Sequence, residues 1–191
     1  MTSMILIVLL IPVAILAVVV IRLGGTNNRL MALDSRCDTA FADIDVALKH
    51  RANLIPGLVE TVKGFAGHEK GLVEAVTNAR AQALSAVSAE GKAAADVKLK
   101  QSVGMLLQSA QAYPEIKASP HFRDLEQQLV DSENRLTASR RFYNLAIEEY
   151  NTTLRQWPGS MIAAKRRMTT RQPYDLGIER VLVDEPVAIK F

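Results

Sequence analysis

SPHFRDLEQQLVDSENRLTASRRFYNLAIEEYNTTLRQW, residues 119–157, decides the fold. Its seam residues are Phe122, Leu125, Leu129, Ser132, Leu136, Ser139, Tyr143, Ala146, Tyr150, Thr153 and Trp157. The steps between them are three and four throughout. A strand would alternate every second residue, so this pattern predicts one long amphipathic helix with a coiled-coil-like seam. Ser119 can cap it, and Pro120 suits the first helical position. Alternate seam positions are large (Phe122, Leu129, Leu136, Tyr143, Tyr150, Trp157), and the others are small after Leu125. That alternation lets facing helices interdigitate.

Upstream, three more helices are expected. Cys37, Phe41, Ile44, Leu48, Ile55, Leu58, Val62 and Phe65 form a first stripe, interrupted by Arg51. Pro56 lies beside the stripe and predicts a kink or break, because an interior proline removes a hydrogen bond at about 3 kcal/mol. Gly64 and Gly67 mark its end. Leu72, Val76, Ala79, Ala83 and Ala86 mark a second helix. Ser85 to Ala95, poor in large side chains, reads as a loop or frayed turn. Leu99, Val103, Leu106, Ala110 and Tyr113 mark a third helix, stopped by Pro114. Strand and hairpin signals are absent as far as Trp157.

The N-terminus adds a different element. Met4 to Ile21 (MILIVLLIPVAILAVVVI) is an uncharged run of about eighteen residues, near the minimum for crossing ~30 Å of hydrocarbon. It has no basic first region and no Ala-x-Ala site, so it reads as an anchor and not a cleaved signal peptide. The expected fold is all-α: an N-terminal transmembrane helix followed by an elongated antiparallel bundle of about four helices. The expected organisation is anchor 1–23, linker 24–28 at Gly24-Gly25, bundle 29–163, and a basic, partly extended or disordered tail 164–191. Arg22, Arg29 and Arg36 follow the span, which places the bundle in the cytoplasm and the N-terminus outside. Cys37, the single cysteine, permits no intrachain disulfide and reads as a small buried residue.

Several runs of residues resemble one family. They are Ile44-Asp45-Val46 with Leu48-Lys49, Arg51, Asn53-Leu54-Ile55-Pro56, and Leu58-Val59 to His68-Glu69. Ala79-Arg80, Ala112-Tyr113-Pro114, Glu133-Asn134-Arg135, Arg140-Arg141-Phe142-Tyr143-Asn144 and Glu149-Tyr150-Asn151 complete the set. Together they are similar to the LemA family over roughly residues 28–163. The resemblance implies a helical bundle at the bacterial inner membrane and brings no agreed reaction. Gly57 departs from the Asn usual after the proline, Trp157-Pro158 stands for Phe-Pro, and the tail past Ala163 differs from short members.

Spacing argues against the enzyme classes that helical bundles host. The residues three before His50, His68 and His121 are Ala47, Phe65 and Ala118, so no Glu-x-x-His di-iron motif exists. His68-Glu69 begins like a zincin, but Leu72 stands at the second ligand position. No Walker-type phosphate loop is present. No catalytic, cofactor or metal residues are expected, and the chain reads as a non-enzyme.

The polar positions beside the stripes remain: Asp45, Lys49, Arg51, Asn53, Glu133, Arg140, Asn144 and Asn151. They are expected to form a buried network that fixes helix register, with Arg51 paired to Glu133 or Asp45. Tyr143 and Tyr150 are expected to bury their rings and hydrogen-bond their hydroxyls. A net charge of +3 and 5% aromatic residues argue against nucleic acid. Lys165, Arg166, Arg167 and Arg171 are candidates for anionic-lipid contact. Residues 180–191 alternate in part and can add a strand to a partner's sheet edge or dock on the bundle. Two functions fit. One is a membrane scaffold that self-associates or recruits envelope proteins. The alternative is a ligand-binding or stress-sensing module coupled to envelope proteolysis, with its site around Asn53, Pro56, His68 and Glu69.

Overall fold

The computed structural model describes residues 2–64 and 70–174. Within them the chain is helical with no strand. Its elements are α1 (Thr2–Lys63), α2 (Lys70–Ser85), α3 (Ala89–Ala110), α4 (Pro114–Ala118), α5 (Pro120–Arg155) and α6 (Gly159–Arg166). The all-α expectation holds: the expected span and first bundle helix form one element, α1, and the short α4 and α6 are added to the expected set.

The first correction concerns α1. It runs through the expected linker at 24–28 without a break. An interior glycine costs about 1 kcal/mol relative to alanine. Two such costs do not stop a helix flanked on both sides by strong helical sequence. Nor does Pro56 end α1. Proline has no N–H to give the carbonyl four residues back, which here belongs to Ala52, a fully buried residue. Arg80 of α2 supplies the missing donor: its Nε–H donates to the Ala52 carbonyl at 2.7 Å. A side chain from the next helix thus completes the turn that proline leaves open.

The second correction concerns the expected loop at Ser85–Ala95. Helix α3 begins at Ala89, and Ser88 caps it by accepting from Gly91 N–H at 3.0 Å. Scarcity of large side chains suggested a loop, but alanine is the best helix former. The third concerns the tail. Residues 164–166 belong to α6, so the boundary drawn after Ala163 falls inside a helix.

The described residues pack as two units, those up to 40 with 143–172 and those within 41–142 with 173 and 174. In the second, Ile55, Leu58, Val62, Val76, Leu99, Leu106, Ile116 and Phe122 form the core. Ile116 enters it from the short α4, which the sequence reading did not foresee. Helices α2 and α3 pack along each other. Within this unit α1 and α5 are antiparallel. Gly57 faces Leu125, where an added Cβ would stand 3.5 Å from the leucine, and Arg51 pairs with Glu133.

In the first unit Leu30, Leu33, Cys37 and Ala40 of α1 are buried with Tyr143, Ala146, Ile147, Tyr150 and Leu154 of α5. Helix α6 closes on α5 at Gly159, where a Cβ would lie 2.0 Å from the Thr153 carbonyl oxygen, so only glycine fits. Trp157, expected on the seam, is 65% exposed. The helix ends at Arg155, and the turn into α6 carries the indole off the stripe. Below this unit's core, α1 is the one described helix long and apolar enough to span a membrane, with mean hydropathy 1.9 and no burial in its apolar window.

Candidate functional site: a buried charge network

Helix α3 presents two charges on its apolar face. Lys92 and Asp96 precede Leu99 and Val103 at steps of four, three and four, and all four side chains are buried. Asp96 is 1% exposed. An isolated carboxylate there would be very costly. Two guanidiniums meet it. Arg51 Nη1 of α1 donates to Asp96 Oδ1 at 3.0 Å, and Arg140 Nη2 of α5 donates to Oδ2. Arg51 also pairs with Glu133 Oε2 at 2.7 Å, and Lys100 approaches Glu133 Oε1 at 3.3 Å. One carboxylate therefore ties three helices together.

A second cluster lies on α1 and α3. Asp45 takes Lys49 at 2.6 Å on one oxygen and Lys92 on the other. Lys92 Nζ also stands 5.9 Å from the Phe41 ring centroid. Arg140 lies over the Tyr174 ring at 5.2 Å, a cation–π contact at the end of the described chain.

The titrations follow from these surroundings. Burial pushes the Asp96 carboxyl up, against the opposing pull of Arg140 and Arg51. The hydrogen bond from Lys49, then that from Lys92, holds Asp45 below the usual aspartate value. Burial pushes the Tyr174 hydroxyl up to about 12.

The structure brings Arg51, Glu133 and Arg140 together and sends Asp45 to two lysines instead of Arg51. Asn53 and Pro56 are exposed, Asn144 is half-buried, and His68 and Glu69 lie outside the described residues. Asp96, Lys92 and Tyr174 were not among the sequence candidates. A signal for the first two existed: extending the Leu99–Val103 stripe backwards by helical steps passes through both.

The Tyr-Asn repeat does something specific. Asn151 Nδ2 donates to the Arg171 carbonyl, and its Oδ1 accepts from Arg171 N–H, both at 2.9 Å. Tyr150 donates to the Thr169 carbonyl at 3.1 Å, and Tyr143 to that of Gln172 at 3.4 Å. Tyr143, Tyr150 and Asn151 thus hold the segment 169–172 on α5. Arg171 is corrected as a lipid candidate. It bridges Asp34 at 2.7 Å and Asp38 at 2.6 Å, and lies 5.8 Å from the Tyr150 ring centroid. Lys165, Arg166 and Arg167 are exposed. The alternating segment 180–191 lies outside the described residues.

Chemically, both clusters pair each carboxylate with cations and build a register lock across α1, α3 and α5. Among the described residues, no group of three or more His, Cys, Asp or Glu side chains is placed to hold a metal. No curated protein matches the chain at a significant level. A family model, that of the LemA family, matches residues 40–191. The match reaches the last residue, so the tail beyond Ala163, expected to lie outside it, falls within the family's span. The chain belongs to the LemA family.

Proposed function

We propose that this chain is a single-pass protein of the bacterial inner membrane whose bundle serves as a non-enzymatic scaffold, associating with itself or recruiting envelope proteins. The observation that carries the reading is α1. Apart from the half-buried Val19, the large apolar side chains from Leu10 to Ile21 are each between 55% and 72% exposed, and the same helix continues without a break into the folded domain. Exposed apolar surface of that extent calls for a lipid or protein cover. The basic residues Arg22, Arg29 and Arg36 follow it, which favours a cytoplasmic bundle.

The partner-binding part of the reading is supported by a groove of about 440 Å³ between α1 and α5. Val46, Ala47, Ala138 and Ser139 line it, flanked by His50 and Arg135. Small side chains let a neighbouring backbone approach closely, and Val46 is 66% exposed. Against the ligand-sensing alternative, Asp45 is already paired with Lys49 and Lys92, and Asn53 is exposed.

The test is photo-crosslinking in intact cells from a benzophenone residue placed at Ala47. We expect adducts of two copies, or of one copy with another envelope protein, identified by mass spectrometry. Monomer alone, at full expression in the membrane fraction, would overturn the scaffold reading. Cysteine labelling from either side at an exposed site tests orientation, and modification of the bundle from outside would reverse it.

A further inference from the structure

The geometry points to Trp157 as an interfacial foot that sets the first unit into the headgroup layer of the bilayer that holds the span. This inference rests on the anchor reading of α1.

The argument is one of depth. The apolar run ends at Ile21 and Arg22 follows it. Glu149 of α5 bridges Arg29 and Arg36 of α1, both at 3.1 Å. From Glu149 onward α5 descends toward the span, because Trp157 shares a groove with Thr26. Thr26 lies five residues beyond Ile21, about 7.5 Å along the axis at 1.5 Å per residue. A bilayer of ~30 Å hydrocarbon and 40–45 Å total has a headgroup layer of about 5–8 Å on each side. Trp157 therefore stands at headgroup depth.

Chemistry agrees with depth. Tryptophan concentrates at membrane–water interfaces because its ring is apolar and its N–H is polar. Trp157 has left the α5 seam and is 65% exposed. The steric demand at Gly159 holds the turn that presents it against Thr153. The basic residues of α6 are a poorer candidate for direct contact. Arg166 reaches Met31 Sδ at 3.6 Å, and Met31 lies ten residues beyond Ile21, about 15 Å away. At that height, beyond the headgroups, Lys165, Arg166 and Arg167 act on lipid only through a field screened over about 8–10 Å. The contact residue is the tryptophan.

Trp157 is the chain's single tryptophan, so its fluorescence reports this site alone. The full chain is reconstituted into phosphatidylcholine–phosphatidylglycerol vesicles, with lipid brominated at a series of acyl positions. We expect blue-shifted emission, quenched most by bromine nearest the carbonyl end and progressively less toward the methyl end. Carbonate extraction of the same vesicles reports insertion independently. Inserted protein whose emission matches water-exposed tryptophan, unquenched at every bromine depth, overturns the foot and leaves the anchor standing. Protein that carbonate strips from the vesicles overturns both.

Discussion

Two arginines show how the same ion pair means different things in different places. Arg51 is 5% exposed and meets Asp96, which is 1% exposed. Arg171 meets Asp34 and Asp38, whose side chains are 30% and 68% exposed, from a side chain that is itself 28% exposed. Both arginines engage two carboxylates at hydrogen-bonding distance. In the buried network the alternative to a partner is a naked charge in an apolar interior. At the surface the alternative is water. The lesson is that the buried set specifies which residues of α1, α3 and α5 face each other, whereas the surface set adds little energy to a segment held by other bonds.

The comparison can be broken most sharply at Asp96. Asp96→Asn should cost about 3–5 kcal/mol, because it strands the buried Arg140 guanidinium and leaves Arg51 with Glu133 alone. Urea denaturation of the full chain in detergent measures it. If the variant melts like the parent, the network does not hold the register. Replacing Asp96 with Leu and Arg140 with Met together should cost less than the sum of the single changes, since no charge is then left unpaired.

A smaller effect belongs to Arg80. Arg80→Met leaves the Ala52 carbonyl without its donor and should cost about 1–3 kcal/mol. Adding Pro56→Ala should recover most of that loss by restoring a backbone N–H. A double-mutant cycle showing no coupling would break this account.

Asn151→Ala removes two hydrogen bonds to the Arg171 backbone, each worth about 0.5–1.5 kcal/mol. Limited proteolysis should then cut earlier between residues 168 and 174. Asp34→Asn, at the surface clamp, should cost at most about 1 kcal/mol and fade further in salt. A cost as large as that at Asp96 would erase the contrast between the two regions.

Acid sharpens the comparison last. Asp45 titrates lower in the folded chain than the usual ~3.9 of an unfolded aspartate. Its contribution is in place above that value and is lost as pH falls through the lower folded one. Asp45→Asn should flatten the stability curve in that window, read by thermal melts between about pH 2 and 5.

Much of this architecture was legible before any coordinates. The three-four steps from Phe122 to Tyr150 located α5, and Arg51 announced itself by interrupting an apolar stripe. What stayed hidden had physical reasons. Asp96 sits 45 residues from Arg51 and 44 from Arg140, so no local pattern links them. The alanine-rich start of α3 offered few large side chains to read a period from. Gly24-Gly25 looked like a break because local propensity was weighed without the cooperativity of the flanking helix. Trp157 fitted the period, but the helix stopped two residues before it.

The bond from Arg80 to the Ala52 carbonyl has a consequence for the family's history. A proline that borrows its proton donor from another helix creates a debt between two distant positions. Chains carrying some other residue at position 56 are free to vary at 80, and those that keep the proline are not. Across relatives the two sites should therefore change together, and frequent proline-bearing sequences with an aliphatic residue at position 80 would show that the loan is optional.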